Sequence, residues 1–158
     1  MNTDDRTGHA ASGVWWDRLS VLRIGAGWLA VPLSEVVYYA QASEQRKVAD
    51  GPFWMTGVLA DRATGAWLPV IHLALLWDDP SLGGRWSRVV VTRGGLAIGA
   101  TGFTRTREAV PIIPLRPPPR HPALGQAAML DGRPVPVLDT AHLLSPAQWA
   151  SLTAGANT

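Results

Sequence analysis

Short apolar runs, each broken within a few positions by Gly, Pro or a polar cluster, recur across residues 20–144. That spacing predicts strands, and a sustained helical period is nearly absent. Val21-Leu22-Arg23-Ile24 and Trp28-Leu29-Ala30-Val31-Pro32 flank Gly25-Ala26-Gly27, which reads as a hairpin. Residues 35–39, rich in β-branched and aromatic side chains, predict the next strand, and residues 41–50 a polar connection. Residues 52–59 and 67–73 predict two more strands around the loop Asp61-Arg62-Ala63-Thr64-Gly65. A second hairpin crosses Arg93-Gly94-Gly95. A third crosses Asp131-Gly132, the strongest short-range hairpin signal in the chain. Between them, residues 110–122 are Pro-rich and must be extended, because Pro pins φ and lacks the amide donor.

The two ends read differently. Residues 1–19 are expected to form a flexible N-terminal tail, in which Trp15 and Trp16 open a helix-compatible stretch too short to assign. In Ser145-Pro146-Ala147-Gln148 a capping box and a first-turn Pro predict a short helix within the terminal segment, residues 145–158.

The chain also repeats itself weakly. Residues 65–76 resemble residues 132–143, with Gly, Pro, Val, Ala and the final Leu matching at an offset of 67. Gly27, Leu29 and Ala30 match Gly94, Leu96 and Ala97 at the same offset. Two echoes at one offset predict two similar β-subdomains.

Composition narrows the function. At 158 residues, with 47% hydrophobic and 16% charged positions, the chain can build a core and is too apolar for a disordered segment. It has no Cys, so disulfides, thiolate metal sites and a Cys nucleophile are excluded. Fourteen Lys and Arg against 12 Asp and Glu give a net charge of +2, and the basic residues form no stripe of the kind phosphate tracking needs. The polar first ten residues carry no signal-like apolar region, and the longest apolar run falls short of a membrane span. A cytoplasmic protein is expected, with no membrane insertion. The four His are not paired at metal-ligand spacing, and no nucleophile elbow, phosphate loop or zinc-protease motif occurs. Neither metal nor cofactor nor catalysis is expected.

Three segments carry a family resemblance. Leu29-Ala30-Val31-Pro32-Leu33-Ser34-Glu35-Val36 is the first. Trp54-Met55-Thr56-Gly57-Val58-Leu59 with Leu68-Pro69-Val70-Ile71-His72-Leu73 is the second. Met129-Leu130-Asp131-Gly132-Arg133 with Val137-Leu138-Asp139 and Leu143-Leu144 is the third. In order and spacing, residues 20–144 resemble a CheW-like domain. The resemblance implies an all-β fold of two SH3-like five-stranded β-barrel subdomains with a short C-terminal helix. It implies a non-catalytic adaptor between the tip of a methyl-accepting chemoreceptor and the regulatory domain of a CheA-like histidine kinase. The chain departs from the family's usual pattern at Ala60-Asp61-Arg62-Ala63-Thr64-Gly65, at His72, where the family has Asp, and at Tyr38, where an acid is common.

By that resemblance Tyr38, Val58 and Arg62 are expected to meet the kinase. Trp54 and Trp86, beside loops, are expected at an interface, whereas Trp28, Trp67 and Trp77 sit in apolar runs and are expected in the core. Trp149 is expected to dock the terminal helix. Arg62 could equally brace its own loop. Of Tyr38 and Tyr39, which alternate in a strand, one should be core and one exposed. Two other readings are a diverged CheW-like protein serving another scaffold without receptor coupling, and a small β-barrel that binds nucleic acid.

Overall fold

The computed structural model describes residues 13–115 and 121–156, with side chains described as far as residue 152. Among the described residues twelve strands form two sheets. They are β1 (Trp15–Asp17), β2 (Leu19–Ile24), β3 (Gly27–Pro32), β4 (Val36–Gln41), β5 (Met55–Ala60), β6 (Trp67–Ile71), β7 (Arg88–Thr92), β8 (Ala97–Ala100), β9 (Gly102–Arg105), β10 (Val110–Pro114), β11 (Gln126–Leu130) and β12 (Arg133–Val137). Two α-helices, α1 (Leu73–Leu76) and α2 (Pro146–Ala156), complete the described regular structure with a few 3-10 turns.

The first sheet runs β1-β10-β11-β12-β3-β2-β9, and the second runs β4-β7-β8-β6-β5. The all-β, two-subdomain architecture is therefore as expected. The first sheet has seven strands rather than five, because β1 and β9 extend it at its two edges.

Each sheet is joined at one parallel seam between two hairpins, the first and last hairpins in one sheet and two successive hairpins in the other. Val137 lies opposite Ala30 where β12 meets β3, and Val70 lies opposite Ala97 where β6 meets β8. Both pairs are related by the offset of 67, so the sequence echo is a repeated structural joint. The amide of Leu138 donates to the Ala30 carbonyl at 2.7 Å, extending the first seam. A parallel pair cannot be closed by a tight turn, so each seam needs a long crossover. Here the chain from β3 to β12 passes through the whole second sheet, and the chain from β6 to β8 passes through α1 and β7.

The central strands bury both faces. On β2 and β3, Leu19, Val21 and Ala30 fill the interior of the first subdomain, while Leu22, Ile24, Leu29 and Val31 face a cluster shared between the sheets. On β7 and β8, Val89, Val91 and Ala97 fill the second interior, while Val90, Ile98 and Ala100 meet the shared cluster. This explains why these strands read as continuous apolar runs instead of alternating ones. Trp149 and Leu152 of α2 pack on the shared cluster, as expected for a docked helix. The Ser145 hydroxyl accepts from the Gln148 amide at 3.1 Å, and the Gln148 side chain accepts from the Ser145 amide at 2.8 Å, completing the capping box.

Several sequence expectations are corrected. Trp15–Asp17 is a strand on β10, and Leu19 begins β2, so the tail does not extend to residue 19; residues 1–12 lie outside the described structure. Part of the Pro-rich stretch is extended as β10, and residues 116–120 of it lie outside the described structure. Trp77 is buried, but Trp28 and Trp67 are 50% and 57% exposed. Both stand at the beginning of their strands, Trp67 first in β6 and Trp28 second in β3, each with an arginine, Arg46 or Arg23 respectively, over its ring at 5.9 Å. Trp54, expected at a surface, is only 6% exposed, because the turn before β5 folds it into the shared cluster. Trp86 is partly buried against the second interior.

Gly25 opens the β2–β3 turn with φ +60, and a Cβ there would collide with the backbone carbonyls of Gly83 and Ser81. Gly132, in the β11–β12 turn, has φ +75 but open space around it. In urea denaturation, Gly132→Ala is expected to cost about 1 kcal/mol, the left-handed penalty alone. Gly25→Ala is expected to cost about 3 kcal/mol or more, since backbone must move as well. Equal losses would mean that the docking of this turn on residues 81–83 contributes nothing.

Candidate interaction surface

The edges of the second sheet are β4 and β5, and two contacts bring them together. After β4 the chain turns through Ala42–Glu44, and Arg46 then pairs with Val58 by two backbone hydrogen bonds of 2.8 Å. Gly57 permits this approach, because a Cβ there would strike the Arg46 carbonyl. The Gly-Val pair that carried the sequence resemblance thus has a steric cause. The second contact is made by side chains: the Tyr38 hydroxyl accepts from the Arg62 amide at 3.1 Å.

Around that contact the structure assembles a small exposed cluster. The Arg62 guanidinium lies over the Tyr38 ring, 4.5 Å from its centroid, and reaches the Glu44 carboxylate at 3.3 Å. The Gln41 amide, donating to Glu44 at 2.7 Å, holds that carboxyl below its ordinary pKa, with Arg62 adding to the effect. The arginine is more than half exposed, and such exposed pairs contribute only about 0–1 kcal/mol. Arg62 therefore braces its own loop and still presents a cation to solvent.

Tyr38 and Tyr39 do face opposite ways, but neither is free. Tyr38 packs on the second interior. Tyr39 stacks on Phe103 at 3.8 Å and donates to the Ser20 hydroxyl at 2.7 Å. The exposed apolar side chain of β4 is Val37, at a bulge between Val36 and Tyr38.

Of the four residues expected to bind a partner, the structure brings Tyr38 and Arg62 together. Val58 lies on the same edge but lines a separate apolar groove of about 560 Å³ with Met55, Trp67, Pro69 and Trp149. Trp54 lies inside the core, where its carbonyl accepts from the His72 amide at 2.9 Å. Sequence reasoning missed Glu44, although Gln41-Ala42-Ser43-Glu44 carries a capping signature that places it. It also missed Trp67 as a surface group, since an apolar run gives no sign of where a strand leaves the core.

His72 precedes α1 at the position that Asp139 holds in the second repeat. Asp139 caps its turn by accepting from the Ala141 amide at 3.2 Å, while His72 makes no side-chain cap. Its Nδ1 is buried without a partner among the described residues, and its ring lies 4.9 Å from Trp86. Burial lowers its pKa from the ordinary 6.5. Below that value the unfolded chain binds a proton that the folded protein resists, so folding stability should fall as pH drops from neutrality through 6.5. His72→Asn should flatten that part of the stability–pH curve, measured by urea midpoints between about pH 5 and 7.5. An unchanged slope would show that another group carries it.

The sequence model of the CheW-like domain matches residues 18–148, spanning both sheets. No curated protein sequence matches the chain. Among solved structures, the crystal structure of the scaffolding protein TtCheW from Thermoanaerobacter tengcongensis is similar in fold. Its TM-score is 0.61 at 18% identity, covering 78% of this chain and 88% of that one.

Proposed function

The chain belongs to the CheW-like domain family, and from that premise we propose that it is a non-catalytic adaptor of chemotaxis-type signalling, working in the cytoplasm. It couples the tip of a methyl-accepting chemoreceptor to the regulatory domain of a CheA-like histidine kinase. The observation that carries this reading is the extent of the family match: it covers β2 to β12 and both parallel seams. The likeness in fold to TtCheW, a scaffolding protein, supports it.

Tyr38 and Arg62 are the proposed kinase contact, with Val58 on the same edge. Arg62 is suited to this because its guanidinium is already held over an aromatic ring and against Glu44. Such an arginine has less rotamer freedom left to lose on binding than a free one. The partly buried Tyr38 ring supplies an aromatic anchor of the kind that dominates interface energetics.

Titration calorimetry against the regulatory domain of the cognate kinase tests the reading. Micromolar or tighter binding at ordinary salt is expected, and Arg62→Ala should weaken it about tenfold while changing thermal stability little. Tyr38→Phe should weaken it less, as only the hydroxyl is lost. Absence of binding would remove kinase coupling, and full binding by Arg62→Ala would move the contact elsewhere.

A further inference from the structure

The first sheet carries a second candidate binding site, distant in topology from Tyr38 and Arg62. At one end of the first subdomain opens a cleft of about 940 Å³. Val21, Leu130 and Val135, all packed on the first interior, line it with apolar surface. Trp28, half exposed, lines it too. Arg105 and Arg133 also line the cleft, and the Arg23 guanidinium stands 5.9 Å from the Trp28 ring centroid. All three arginines are exposed, and among the described residues no carboxylate lies within ion-pair distance of any of them. One acid, Asp131, stands in the lining.

A further feature gives the site a direction. Thr104, Arg105 and Thr106 line the cleft, and among the described residues β9 is the outermost strand of its sheet, paired with β2 alone. An outermost strand offers backbone donors and acceptors to an added extended chain.

We infer that this cleft binds an acidic peptide segment of a partner protein, extended along β9, with an aliphatic side chain seated on Val21, Leu130 and Val135. The excess of unpaired cations selects the acidic charge, and the apolar floor selects the anchor. A nucleic-acid strand fits less well, because the lining offers a single aromatic platform, whereas strand binding uses successive stacked bases. The inference does not depend on the kinase contact proposed above, since it uses none of the same residues.

The test uses the full chain and a fluorescein-labelled peptide, Gly-Glu-Asp-Leu-Glu-Asp-Gly, followed by anisotropy and by amide and indole NMR. Saturable binding is expected, with the Trp28 indole and the amides of residues 102–106 shifting most. The double variant Arg105→Glu, Arg133→Glu should lose about tenfold in affinity. Asp131→Asn should tighten binding about twofold, a gain that a misfolded variant would not give. No saturable binding overturns the proposal. So does equal binding of the Gln/Asn version of the peptide, or NMR shifts confined to another face. Stronger competition by an oligothymidine strand than by the unlabelled peptide would replace it with nucleic-acid binding.

Discussion

The parallel bridge between Ala30 and Val137 joins the first hairpin of the described chain to the last. Its counterpart, Ala97 with Val70, does the same for the inner pair of hairpins. Neither sheet closes without its seam, and neither seam can form until a long stretch of chain has been brought back. That ordering costs loop-closure entropy before any contact offsets it. The residues at the seams are small and β-branched, so the backbones approach closely while Val fills each interior.

From this joint follows the two-faced character of the central strands. Because each sheet borrows strands from both halves of the chain, the sheets lie against each other through one shared cluster. Residues such as Leu22 and Val90 serve that cluster, while their neighbours Val21 and Val91 fill the separate interiors. The subdomains are alike in topology yet are not independent. Cutting the chain anywhere between β3 and β12 would divide both the first sheet and the shared core.

Closure of the second sheet shapes the candidate surface. Its two edges meet through the Arg46–Val58 bridge and through Tyr38 and Arg62, so the residues that seal the barrel are also those shown to solvent. An arginine in that position is pre-positioned by the fold. A brace and a binding contact are thus compatible roles for Arg62, and the two readings its sequence position allowed describe one side chain.

The sequence by itself determined most of the strands, though neither β1 nor β9, together with the turns and the repeat. Hydrophobic runs bounded by Gly and Asp-Gly specify hairpins locally, because turn chemistry acts over a few residues. The capping box at Ser145 and the Gly57-Val58 pair were legible for the same reason. What only the tertiary structure decided was which side of each element meets what. Trp28 and Trp67 lie in apolar runs yet stand in solvent, and Trp54 lies beside a loop yet is buried. A residue's burial depends on which distant strand or turn covers it, and that information is absent from its neighbours in sequence. Glu44 joined Arg62 and Tyr38 on the same ground: three residues on separate segments meet only when the sheet closes.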